Sequence, residues 1–63
     1  MDAVERVVQR VVFGVRWAPG EGAFIAYNHS FPELTCRGES PREAIQGLKG
    51  RVRARVAREL GVA

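Results

Sequence analysis

Arginines are the residues best placed to do chemistry in this chain. Nine of the ten basic side chains are arginine, and Arg51, Arg55 and Arg58 recur at steps of four and three. On a helix that spacing gathers three guanidiniums on one flank. Each offers a planar fork of donors suited to phosphate or carboxylate. From Ser40 onward six basic residues (Arg42, Lys49, Arg51, Arg53, Arg55, Arg58) face two acidic ones (Glu43, Glu59), a local surplus of +4 in a chain of net charge +3. Nucleic-acid contact by such a ridge would be non-specific and salt-dependent. The competing reading is a solvated flank whose arginine stems extend an apolar stripe and whose heads pair with glutamates of a neighbouring subunit. No aromatic residue or glycine-rich loop interleaves these basic residues, which favours the second reading.

Other reactive residues lack partners. Two-metal nuclease chemistry needs several converging carboxylates, yet Asp2, Glu5, Glu21, Glu33, Glu39, Glu43 and Glu59 all fall outside the segments that read as strands. Catalysis is not expected, nor is a cofactor. His29 has no Ser, Cys or Asp in an evident motif and reads as a surface histidine at a strand end. Cys36 reads as a small buried hydrophobe. One cysteine excludes an internal disulfide, and one Cys with one His does not make a tetrahedral metal site. Asn28-His29-Ser30 spells a glycosylation acceptor that has no meaning without secretion. Gly20-Glu21-Gly22 lacks the strand-to-helix setting of a phosphate cradle and reads as a turn.

The arginine ridge must be held by a C-terminal helix, about residues 41–60. Ser40-Pro41-Arg42-Glu43 places a hydroxyl at the N-cap, proline at the first helical position and a carboxylate at the third. Ile45, Leu48, Val52, Val56 and Leu60 then make one apolar stripe, and Gly61 is the stop, with Arg58 in the last turn. Gly47 and Gly50 each cost about 1 kcal/mol inside this helix. With Ala54 they leave a low surface away from the stripe, open to a second helix or simply tolerated. Three strands precede the helix, about 7–18, 22–31 and 34–37. In the first, Val11, Phe13, Val15 and Trp17 alternate with Val12, Gly14 and Arg16. Pro19-Gly20-Glu21-Gly22 turns the chain into its hairpin partner. Residues 1–8 read as an extended lead-in with the strand beginning near Val7, although Val4, Val7, Val8 and Val11 also fit a helix and Asp2 with Glu5 resembles a capping box. The expectation is one α+β domain over residues 1–63: an antiparallel three-stranded meander with one helix on one face, β-β-β-α.

Hairpin register stays open. An even loop sets Trp17 and Val15 opposite Phe24 and Ala26; an odd one sets them opposite Ile25 and Tyr27. Either way one sheet face lacks a helix, and a soluble protein with such an apolar patch usually uses it as an interface. Val12, Phe24, Ile25 and Tyr27 are the candidates. A chain of 63 residues buries only about 60% of its unfolded surface, so a homodimer or higher oligomer is expected. With 46% hydrophobic and 27% charged residues the composition is globular. No apolar run reaches membrane length and no signal peptide is evident, so the expected location is cytoplasmic.

Element order and the residues between the strands and helix resemble the N-terminal domain of HicB-type antitoxins, a β-β-β-α unit described as a partial RNase H fold. The segment Ala26-Tyr27-Asn28-His29-Ser30-Phe31-Pro32-Glu33-Leu34-Thr35-Cys36-Arg37-Gly38-Glu39-Ser40 followed by Glu43-Ala44-Ile45 carries it. Ala26, Tyr27, Pro32, Gly38, Glu39, Ser40 and Glu43-Ala44 match that family's pattern. His29 replaces its usual proline and Glu33 its usual glycine. The resemblance spans about Val11 to Leu60 and implies a non-enzymatic protein-binding module, with a small toxin protein as partner. The DNA-binding domain that usually follows in the family has no counterpart after Leu60, so operator binding is not implied. The toxin of that family is a small basic ribonuclease, whereas this helix is itself basic.

Overall fold

The computed structural model of the protein describes residues 2–61. Its elements are α1 (Ala3–Arg10), β1 (Phe13–Ala18), β2 (Ala23–Asn28), β3 (Cys36–Gly38) and α2 (Pro41–Glu59), with the strands in one antiparallel sheet of order β1-β2-β3. The expected β-β-β-α arrangement is present, and a short helix precedes it.

That first helix corrects the extended lead-in expected over residues 1–8; Met1 lies outside the described residues. The Asp2 carboxylate accepts the Glu5 amide at 2.9 Å, and Glu5 lies in the first turn with Arg10 in the last, both favourable to the helix dipole. Valine's strand preference is weak, and burial decides against it. Val4, Val8 and Val11 are buried at helical spacing against the C-terminal half of α2, through the same core cluster as Val52 and Val56. Glu5 pairs with Arg53, while Gln9, Phe13 and Lys49 line one cleft, so the two helices run antiparallel. Consequently β1 starts at Phe13 rather than near Val7.

Between β1 and β2 the loop Pro19–Gly22 is even-numbered. The Glu21 amide donates to the Ala18 carbonyl at 3.0 Å and Gly22 adopts a φ of 62°, which the absence of a Cβ permits. The register is therefore Trp17 with Phe24, Val15 with Ala26, and Gly14 with Tyr27.

Helix α2 begins as its sequence predicts, the Ser40 hydroxyl accepting the Glu43 amide at 3.1 Å. Its buried stripe is Ala44, Leu48, Val52 and Val56. Ile45 is half-buried at its margin, and Leu60 lies just past the helix with 49% of its surface exposed. The first half packs on the sheet at close range: a Cβ on Gly38 would lie 2.6 Å from the Ala44 amide nitrogen. Gly47 is explained in the same way, because Cys36 Sγ occupies the space its Cβ would need. The neighbour that uses the space at Gly47 is β3. Gly50 faces open space.

The core is thin. Of the fully buried side chains only Leu48 and Val52 have appreciable volume. Phe13, Phe24 and Phe31 are half-buried, while Trp17 and Tyr27 are exposed. None of the aromatic rings, which carry the largest hydrophobic surface per residue, is sealed inside.

Candidate functional site

The sheet has two unlike faces. Phe13, Val15, Phe24, Ala26 and Cys36 point toward α2 and join the core. Alternation sends Arg16, Ile25, Tyr27 and Arg37 to the other side, where no helix lies. Here Arg16, Ile25 and Arg37 form one cross-strand row, placing the two arginines about 10 Å apart at two strand spacings. In the adjacent row Tyr27 stands opposite Gly14. A Cβ on Gly14 would sit 2.4 to 2.7 Å from the tyrosine ring, so the ring lies across the glycine. His29 meets that ring edge-on at 6.4 Å. The strands contain no acidic residue. Glu21 in the hairpin turn brings its carboxylate to 3.8 Å from Arg37, whose guanidinium also donates to the Glu21 carbonyl at 3.2 Å.

This geometry separates the residues expected to share an interface. Tyr27 and Ile25 are on the uncovered face, and Val12 flanks it with 64% exposure. Phe24 is on the opposite face, packed against the helix core and edge-on to Trp17 with ring centroids 5.0 Å apart. It is therefore a covering-side residue; the even loop register puts it there. Arg16 and Arg37 were not singled out as site residues, although period-two alternation around Ile25 signals them once the register is known.

The arginine ridge of α2 is less free than its spacing suggests. Arg55 donates to Glu33 at 2.7 Å and to Glu59 at 2.9 Å, and its guanidinium lies 5.4 Å from the Phe31 ring centre. Glu59 and then Glu33 push its pKa further above the ordinary arginine value. Reciprocally, a backbone amide and then Arg55 hold the Glu33 carboxyl below the usual carboxylate range. Arg53, on the other flank, bonds to Glu5 and is likewise pushed up. Arg51 and Arg58 form no ion pair among the described residues. The glutamates that Arg55 meets, Glu33 and Glu59, belong to its own chain. One of the three ridge residues thus works as a strap between α2 and the loop before β3.

Asn28 is the residue that sequence reasoning undervalued. It is 4% exposed, its amide donates to the carbonyls of Phe31 at 3.0 Å and Leu34 at 3.2 Å, and its side-chain oxygen accepts the Phe31 amide at 2.6 Å. This one side chain shapes the loop that carries Glu33 to Arg55. Asparagine at a strand end before Ser and Phe-Pro is a turn signal in its own right. Cys36 is half-buried rather than buried, with Sγ against Gly47. No group of three or more His, Cys, Asp or Glu residues among those described could hold a metal ion, and no described helix is long and apolar enough to cross a membrane.

Comparison with protein-family models, with curated proteins and with solved structures yields no match for this chain.

Proposed function

We propose that this chain is a non-enzymatic protein-binding module, of the kind the HicB-type resemblance implies, whose working surface is the uncovered sheet face. The observation that carries this reading is the row Arg16, Ile25 and Arg37 beside a Tyr27 ring laid over Gly14. An apolar centre with an aromatic anchor and flanking arginines has the composition of a protein contact, in which aromatic and arginine residues are enriched. The charge of the face selects the partner's chemistry. Arg37 has Glu21 beside it, but two copies stacked face to face would bring two Arg16 guanidiniums together with no strand carboxylate to neutralise them, which is unfavourable. A basic toxin would meet the same repulsion. The fitting partner presents carboxylates around an apolar patch.

The test is retention by immobilised protein at high salt, comparing the wild type with Tyr27→Ala and Arg37→Glu. A protein partner held by the wild type and lost in both variants, with unchanged circular dichroism, supports the reading. Retention unaffected by either change would sink it. Nucleic acid retained only at low salt and released by Arg51→Gln with Arg58→Gln would instead indicate the basic-domain reading, since phosphate contacts are salt-sensitive.

A further inference from the structure

We infer that the free edge of β1 pairs antiparallel with β1 of a second copy, centred on Val15, to make a six-stranded sheet. The sheet has two edges, and they are unequal. β3 is three residues long, which is itself a protection against pairing. β1 is six residues long, pairs with β2 without interruption, and contains no proline. The only blunting residue on it is Arg16. Helix α1 packs chiefly on α2 and comes near β1 at Phe13, where both line one cleft, while α2 covers the face of β1 that carries Phe13 and Val15. The row of backbone donors and acceptors along that edge is a template for another strand.

Self-complementarity fixes the register. In an antiparallel pair, residues directly opposite point to the same side, and a two-fold axis through the sheet keeps like faces together. The pleat therefore allows only registers centred on a residue. Centring on Arg16 sets two guanidiniums directly opposite each other. Centring on Gly14 leaves Trp17 beyond the ladder, because only Phe13, Gly14 and Val15 overlap. Centring on Val15 pairs Phe13 through Trp17 of each copy and moves the two Arg16 side chains from directly opposite to a diagonal of about 7 to 8 Å. Arg16 then stands opposite Gly14 of the second copy, over which that copy's Tyr27 ring lies, a cation beside an aromatic face. Trp17, 51% exposed in the single chain, stands opposite Phe13 of the second copy on the helix side. The aromatic surface that the thin core leaves unsealed is buried there. The uncovered face remains open and is doubled in extent, so this pairing holds whether or not the proposed partner reading does.

The experiment follows mass, emission and amide exchange over a concentration series. Sedimentation should show twice the 7.0 kDa chain mass. Emission of the one tryptophan should shift to the blue as dimer forms, and outward β1 amides should gain protection. Trp17→Lys should return the mass to that of one chain with helix content intact by circular dichroism. Should that variant fail to fold, Val15→Cys in a Cys36→Ala background decides: oxidation should link two chains through residue 15. A single-chain mass at every concentration overturns the inference. So does a dimer that persists in folded Trp17→Lys, or one whose β1 amides exchange at a rate independent of concentration.

Discussion

The two sides of β2 show how differently one strand can be used. Toward α2 it presents Phe24, Ala26 and Asn28, and the side chain at Ala26 is fully shielded beneath Leu48 and its neighbours. Away from α2 it presents Ile25, between Arg16 and Arg37 on the flanking strands, and Tyr27, opposite Gly14. On the covered side α2 comes closest at Gly38 and at Gly47, where the missing Cβ atoms yield the space to Ala44 and Cys36. On the uncovered side Arg16, Tyr27 and Arg37 are large and exposed, and Ile25 is half-buried among them. Size without burial is the mark of a surface kept for contact.

The sharpest way to break this contrast is a matched pair of truncations. Leu48→Ala should cost about 2 to 5 kcal/mol, because it hollows the centre of the covered side. Ile25→Ala, removing a similar volume from the open side, should cost well under half of that. Urea unfolding of the two variants checks it, and equal losses would mean that the faces are not energetically distinct. Asn28→Ala comes next, at about 1 to 3 kcal/mol, since it strands part-buried backbone groups of Phe31 and Leu34. Amide exchange in the loop between β2 and β3 should rise along with the loss of stability.

Smaller effects come from the helix glycines. Gly50→Ala should stabilise by up to about 1 kcal/mol, since its Cβ enters open space in a helix interior. Gly47→Ala should gain less or lose, because Cys36 Sγ must move. In a Cys36→Ala background the two glycine changes should converge, and a double-mutant cycle measures that coupling. The smallest effect is the pH dependence carried by Glu33. Its carboxyl is held below the ordinary 4.5 in the folded chain, so its contribution is present above that value and fades as pH falls through the lowered pKa. Glu33→Gln should slightly flatten the fall of thermal stability in acid. The pair is exposed, and added salt should shrink the difference further.

Much of this fold was legible beforehand because its signals are local. The Ser40 cap and Pro41, the turn at Pro19 to Gly22, and alternation along β1 each depend on near neighbours in sequence. The first helix was not legible. Val4, Val8 and Val11 suit a strand as well as a helix, and only the distant half of α2 supplies the surface that settles it. Arg55 shows the same division at the site. Its spacing with Arg51 and Arg58 is visible in the chain, but its pairing with Glu33 exists only because Asn28 folds the intervening loop back onto α2.

By itself, then, the sequence determined three strands, the long C-terminal helix and its basic flank, since caps, turns and periodicities act over a few residues. Only the tertiary structure decided the hairpin register, and with it which side of the sheet holds Phe24 and which holds Tyr27 beside the row of Arg16, Ile25 and Arg37. It also decided that Arg53 and Arg55 are the arginines of α2 that pair with carboxylates among the described residues. Those outcomes depend on contacts between residues far apart in the chain, and a one-residue shift in pairing would have exchanged the two faces.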